Sequence, residues 1–273
     1  MTDSVRPMPW IDTSVPSVAR IYDYLLGGKD NFAADREAAE RQVAAVPQIP
    51  WLARQNREFL RRAVRFVAGQ GVTQFLDLGS GLPTNENVHE VAQQVQPDAH
   101  VVYVDIDSIA VSHGRALLAD KPTEAIWGDL CRPDDILADP VVHRLIDFSR
   151  PVAVLAVSVL HAIADTSDPA GAMAKLRTAM APGSYLVISH GESSAAHVVG
   201  LERLSAAARE LADSTKQTAA VPGRTRDGIA AFFGDLTLVE PGLTDVWAWR
   251  PDAEQAPVTS EVFRMLGGVA RKS

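Results

Sequence analysis

Between residues 73 and 190 the chain alternates short aliphatic runs with helical stretches, and this rhythm restricts its fold more than any other feature of the sequence. The runs are "QFLDL", "HVVYVDI", "EAIWGD", "PVAVLAVSVL" and "SYLVISH". Between them lie "TNENVHEVAQQVQ", "SIAVSHGRALLAD", "PDDILADPVVHRLID" and "DPAGAMAKLRTAM". Unbroken aliphatic runs of this length belong to strands covered on both faces. Repeated β-α units therefore predict a parallel sheet with helices on both sides.

The flanks read differently. Before residue 71 the pattern is helical throughout. "SVARIYDYLLGG" sets Val18, Ile21, Tyr22 and Leu25 at helical spacing behind Ser17 as N-cap, and Gly27-Gly28 ends the helix. "AADREAAERQVAAV" and "ARQNREFLRRAVRFVAG" supply two more helices, the second placing Phe59, Leu60, Val64 and Val67 opposite a row of arginines. After "SYLVISH", helices are expected over 193–214 and 225–234. Then "LTLVEPGLTDVWAWRP" reads as two strands around Pro241-Gly242, an antiparallel hairpin closing the sheet. One domain over 1–273 is expected: a helical cap at 14–70, a core at 71–250 and a tail at 251–273.

A formal charge of −8 argues against general affinity for nucleic acid or an anionic membrane. The single cysteine, Cys131, excludes an intramolecular disulfide and a cysteine-based zinc cluster, and fits a cytoplasmic location. No run is long enough to span a bilayer, and the seven histidines show no HxxxH spacing, so no metal is expected.

The chemistry concentrates around Gly79-Ser80-Gly81-Leu82-Pro83, a glycine turn directly after the first aliphatic run. Thr84 stands where a GxGxxG pattern needs its third glycine. Asp77 flanks the turn, Asp105 ends the second run 24 residues after Gly81, and Asp129 follows the third run 24 residues later. All three fall at the carboxyl edge of the expected sheet, where open α/β folds bind ligands. A carboxylate at the second strand suits ribose hydroxyls of any nucleoside. Asp77 discriminates: it would repel the pyrophosphate of a dinucleotide such as NAD, whereas the sulfonium and amino group of S-adenosylmethionine are cationic. Asp129 can accept a hydrogen bond from an adenine amino group. The structural alternative is that Asp77 caps the turn and Asp129 starts a helix.

On "LDLGSG", "YVDID", "WGDL" and the closing hairpin, the sequence resembles class I S-adenosylmethionine-dependent methyltransferases. More narrowly, "SVARIYDYLLGGKDNFAADR", "FLDLGSGLPT", "PGSYLVISH", "VEPGLTDVWAWRP" and "GGVARKS" resemble a bacterial S-adenosyl methyltransferase family of unknown substrate. The likeness covers nearly the whole chain, and Pro83 departs from the glycine many class I members carry there. The resemblance implies a Rossmann-like, seven-stranded, mostly parallel sheet with a C-terminal antiparallel hairpin and an N-terminal helical cap. It also implies S-adenosyl-L-methionine contact from Asp77, Gly79, Gly81, Asp105, Ile106, Asp129 and Leu130.

Methyl transfer needs alignment and exclusion of water, and a base only when the acceptor carries a proton to be removed. His161, after "AVLAVSVL", and His190, after "SYLVIS", are the candidate catalytic groups, with Ser158 beside the cofactor. The competing reading of His161 is a histidine bonded to a loop carbonyl. "YDYLLGGKDNF" fits a lid with Tyr22 and Asn31 against the cofactor; otherwise its tyrosines pack on the sheet and its glycines cap a helix. The arginines at 54, 57, 61, 62 and 65 fit a solvated or acid-paired helix face better than an RNA site. The expected partner is a small-molecule O or N methyl acceptor. The rival functions are a non-catalytic protein holding S-adenosylmethionine or S-adenosylhomocysteine, and an NAD-dependent oxidoreductase.

Overall fold

The computed structural model describes residues 12–83, 86–118, 122–192, 224–252 and 264–273. Three helices come first: α1 (Val18–Leu26), α2 (Ala33–Ala45) and α3 (Ile49–Gly69). The alternating region follows as β1 (Gln74–Leu78), α4 (Val88–Val95), β2 (His100–Asp105), α5 (Ser108–Leu117), β3 (Thr123–Trp127), α6 (Pro133–Leu137), α7 (Pro140–Leu145), β4 (Ala153–Val157), α8 (Pro169–Ala179) and β5 (Tyr185–Glu192). The chain closes with α9 (Arg226–Ala230), β6 (Thr237–Leu238), β7 (Thr244–Asp245) and β8 (Arg264–Arg271).

All the strands join one sheet of order β3-β2-β1-β4-β5-β8-β6, with β7 also paired to β8. The five strands foreseen from the aliphatic runs are parallel, and β8 runs antiparallel to β5 over residues 185–192. The order reverses between β1 and β4, so a crevice opens there at the carboxyl ends of the strands.

Two expectations are corrected. The runs on either side of Pro241 do not form a hairpin: β6 pairs with residues 270–271 of β8, and β7 with residues 266–267. The sheet consequently has eight strands rather than seven, because part of the expected tail is strand β8. Its two glycines have packing roles. A Cβ on Gly267 would meet the Phe59 ring at 2.8 Å, and one on Gly268 would meet Phe233 at 3.1 Å, so each admits an aromatic ring against one face of the strand. The helix foreseen over 225–234 is α9 plus a short 3₁₀ turn at Ala231–Phe233; the one foreseen over 193–214 lies outside the described residues.

One face of the sheet packs on α3 and α4, with Phe59, Val64, Val67, Phe75 and Trp249 fully buried. Phe59 and Trp249 meet edge to face at 5.5 Å. The other face packs on α6, α7, α8 and Phe232-Phe233. Thus α3 is a helix of the core as well as of the cap. Within the cap, α1 and α2, with Ala53, form a separate cluster around Ile21, Leu25, Ala38 and Ala39.

The cap is tied down by polar groups. Asp35 of α2 is fully buried and accepts from the backbone N–H groups of Ser17 (2.9 Å) and Phe32 (2.8 Å) while pairing with the buried Arg20 at 3.0 Å. Asp23, also buried, accepts from the Asp30 amide at 3.0 Å and Asn31 Nδ2 at 2.8 Å, so "GGKDN" folds back over α1. Ser17 sits at the N-cap of α1 without a side-chain cap bond; its hydroxyl donates instead to Asp107 at the start of α5. This bond holds the entry to α1 against the carboxyl edge of β2.

Candidate active site at the carboxyl edge of the sheet

Gly79 and Gly81 both have φ of +67°, the left-handed region that favours glycine. Their roles differ. A Cβ on Gly79 would lie 2.3 Å from Val159 Cγ2, so that glycine lets the turns after β1 and β4 dock. A Cβ on Gly81 would meet nothing within 4 Å, so its backbone borders open space. The turn is stitched to β2: the amides of Gly79 and Ser80 donate to the Val104 carbonyl, and the Gly81 amide donates to Asp105 Oδ2 at 2.7 Å. The Asp107 amide donates to Asp105 Oδ1 at 2.8 Å, so one carboxylate organises both loops. Burial pushes Asp105 up to about 6, against the pull of those amides.

Asp77 is 5% exposed, and no described residue donates a hydrogen bond to its carboxylate. Burial pushes it up to about 7; the Arg57 guanidinium opposes that and the Asp105 charge adds to it. A carboxylate buried in this way is costly when ionised, and it has the capacity to meet a cationic ligand.

Ile106, next to Asp105, is 60% exposed, an apolar side chain set beside a buried acid. Trp127 Nε1 donates to the Ile106 carbonyl at 2.9 Å and fixes that loop. Asp129 is half-buried and its Oδ1 accepts from the Cys131 amide at 2.9 Å; the Leu130 side chain is buried in the core. Asp77, Gly81, Asp105, Ile106 and Asp129 thus lie along the ends of three adjacent strands.

Ser158 follows β4 with φ of +60°, a strained conformation for a residue bearing a Cβ. Its amide donates to Ser189 Oγ at 2.9 Å. His161 lies three residues on, its Nδ1 buried and without a hydrogen-bond partner among the described residues, and burial pushes its pKa down to about 4. His190 is fully buried: its Nδ1 donates to the Gly191 carbonyl at 2.7 Å and its Nε2 accepts from Arg224 at 2.7 Å. Burial, aided by His161, pushes His190 down to about 3. The two rings meet edge to face at 5.7 Å, and Arg224 also binds the carbonyls of Leu160 and Ile163 and the Asp165 carboxylate.

The expected lid residues use their polar groups internally. Tyr22 donates to the Ala53 carbonyl at 3.0 Å and accepts from Asn56 at 2.9 Å, while Asn31 holds Asp23. Of the arginine row, Arg61 and Arg65 pair with Glu58, Glu86 and Asp252, and Arg62 is buried against the carbonyls of Val246 and Trp249. Sequence reasoning missed Asn56, Ser189 and Arg224, whose roles depend on partners far away in the chain, and it read Ser17 only as a helix cap and Arg57 only as part of a basic helix face.

A cleft of about 310 Å³ opens at the opposite edge near Val72, Pro151, Gly183 and Tyr185, and none of its lining residues carries a carboxylate. Among the described residues there is no group of three or more His, Cys, Asp or Glu arranged to hold a metal, and no helix long and apolar enough to cross a membrane.

A doubly wound sheet closed by an antiparallel strand, with carboxylates along its carboxyl edge and a glycine turn after β1, defines the architecture of S-adenosylmethionine-dependent methyltransferases. The chain belongs to the S-adenosyl methyltransferase family, whose model matches residues 5–273, and S-adenosyl-L-methionine is its cofactor. It is similar to a crystal structure of a candidate methyltransferase from Thermobifida fusca YX, at 43% identity over 98% of this chain and 99% of that one, with a TM-score of 0.88. It is also similar to a DUF574 family protein from Streptomyces avermitilis MA-4680, at 37% identity over 97% and 100% of the two chains, with a TM-score of 0.87. The plantazolicin methyltransferase BamL, solved in complex with a triazolic desmethylPZN analogue and S-adenosylhomocysteine, shares the fold at 11% identity over 95% of this chain and 96% of that one, with a TM-score of 0.52. No curated protein matches the chain significantly.

Proposed function

We propose that the protein transfers a methyl group from S-adenosylmethionine to an oxygen or nitrogen of a small molecule. The observation that carries the cofactor's placement is Asp77, a buried carboxylate to which no described residue donates a hydrogen bond, beside the open backbone of Gly81. When bound, the cofactor supplies an electrophilic methyl group on a sulfonium. In this reading Asp77 faces the cationic part, Asp105 accepts from the ribose hydroxyls, Ile106 and the Leu130 main chain flank the adenine and Asp129 accepts from its amino group. Gly79 sets the turn and Ser158 forms the wall on the β4 side.

His161 takes the acceptor side. At neutral pH its imidazole is uncharged, and the lowered pKa makes it a hydrogen-bond acceptor that aligns a hydroxyl or amine rather than a strong base. His190 has both ring nitrogens engaged and supports Arg224 instead of reacting. Tyr22 and Asn31 contribute by holding the cap in place. The bond from Ser17 to Asp107 sets the cap over the edge of β2, which supports an enclosed site and hence a small acceptor.

The test is a turnover screen that follows release of S-adenosylhomocysteine with small amines, phenols and alcohols in parallel with peptides and RNA. Release with small O or N acceptors is expected. Release only with peptides or RNA would overturn the small-molecule reading, and cofactor binding with no turnover on any panel would favour a non-catalytic binding protein.

A further inference from the structure

A chain of four hydrogen bonds crosses the molecule from the turn after β4 to the cap. The Ser158 amide donates to Ser189 Oγ at 2.9 Å, and the Ser189 hydroxyl donates to Asn56 Oδ1 at 2.6 Å. Asn56 Nδ2 then donates to Tyr22 Oη at 2.9 Å, and the Tyr22 hydroxyl donates to the Ala53 carbonyl at 3.0 Å. Every hydroxyl in the series accepts one bond and donates the next, so its direction is fixed throughout. Ser189 is fully buried and Asn56 is 1% exposed, which keeps water from substituting for either link.

Both ends of this chain bear on the site. At one end stands Ser158, held at a φ of +60° that it adopts only because its surroundings impose it. The adjoining Val159 fills the space left by the missing Cβ of Gly79, so a shift of the β4 turn presses on the glycine turn beside Asp77. At the other end stands α1, whose entry is bonded through Ser17 to Asp107.

We propose that Tyr22, Asn56 and Ser189 are positioning residues that set the main chain of Ser158, and through Val159 the glycine turn, according to the position of the N-terminal cap. The inference rests on the reading that this turn borders the cofactor. It assigns Tyr22 a role through Ser158 and leaves its hydroxyl no direct part in binding. Fully buried Ser189 acts only through its neighbours.

A double-mutant cycle on S-adenosylhomocysteine affinity tests this, using Tyr22→Phe, Ser189→Ala and the pair, with thermal unfolding followed in parallel. Loss of one neutral hydrogen bond predicts about fivefold weaker binding for each single variant. Because both act on one element, the double variant should also be about fivefold weaker, not the roughly 25-fold of independent effects. Unchanged affinity in both single variants, whatever happens to unfolding, would overturn the proposal, as would multiplication of the two effects. If Ser189→Ala fails to fold, Tyr22→Phe alone decides: the hydroxyl lies outside the sheet, and unchanged affinity there overturns the proposal. Wild-type protein that does not bind S-adenosylhomocysteine would overturn the cofactor reading itself, and this inference with it.

Discussion

Replacing Asp77 with asparagine should stabilise the free protein and weaken its hold on the cofactor. The Asp77 carboxyl ionises near 3.8 when solvated and at about 7 in the fold, where burial disfavours its charge. For a carboxyl raised in this way, the stability it contributes is complete below the unfolded value and is lost as pH rises through the folded one. The loss therefore accumulates between about pH 4 and pH 7 and is constant above that. Three units at about 1.4 kcal/mol each make the full penalty about 4 kcal/mol at pH 8 and under about 1 kcal/mol at pH 4. Asp77→Asn removes the ionisation while keeping the shape, so its gain over wild type should follow the same course. Urea unfolding of both proteins at pH 4 and pH 8 without cofactor measures it. The same substitution removes a charged partner and should weaken S-adenosylmethionine binding by roughly tenfold to a hundredfold at pH 8. A gain that does not change with pH, or an asparagine variant binding as tightly as wild type, would refute the argument that Asp77 is a buried carboxylate that meets a cation.

Other substitutions test neighbouring parts of the account. Asp105→Ala removes the acceptor for the Gly81 and Asp107 amides, and calorimetry should show S-adenosylhomocysteine affinity down by roughly tenfold or more. Asp35→Ala leaves Arg20 buried without its partner and should cost roughly 3–5 kcal/mol in chemical unfolding, a loss that an exposed pair would not show. Gly267→Ala places a methyl group 2.8 Å from the Phe59 ring and should lower stability by about 1–3 kcal/mol, seen as a reduced Tm.

The parallel strands were legible because each is buried on both faces, which demands unbroken aliphatic runs. Strand β8 was not, since "MLGGVA" carries two glycines that look like turn signals. They are present because Phe59 and Phe233 press on the strand from opposite faces, a fact of tertiary packing. The supposed hairpin failed for a related reason: β6 and β7 are two residues long, and each pairs with β8 instead of with the other. At the site, Asp77 and Asp105 could be placed from their positions at strand ends. The links around Ser189 could not, because Asn56 is 133 residues away and only the folded sheet brings them together. The engagement of His190 could not be read either, since it depends on Arg224, 34 residues further on.

The central claim is that the carboxylates at this sheet edge hold a cationic nucleoside cofactor, and calorimetric titration of the wild-type protein tests it most directly. At pH 8, S-adenosylmethionine and S-adenosylhomocysteine should each bind saturably and NAD should not bind. Binding of NAD with no response to the other two would contradict the account at Asp77, where the whole assignment of the site begins.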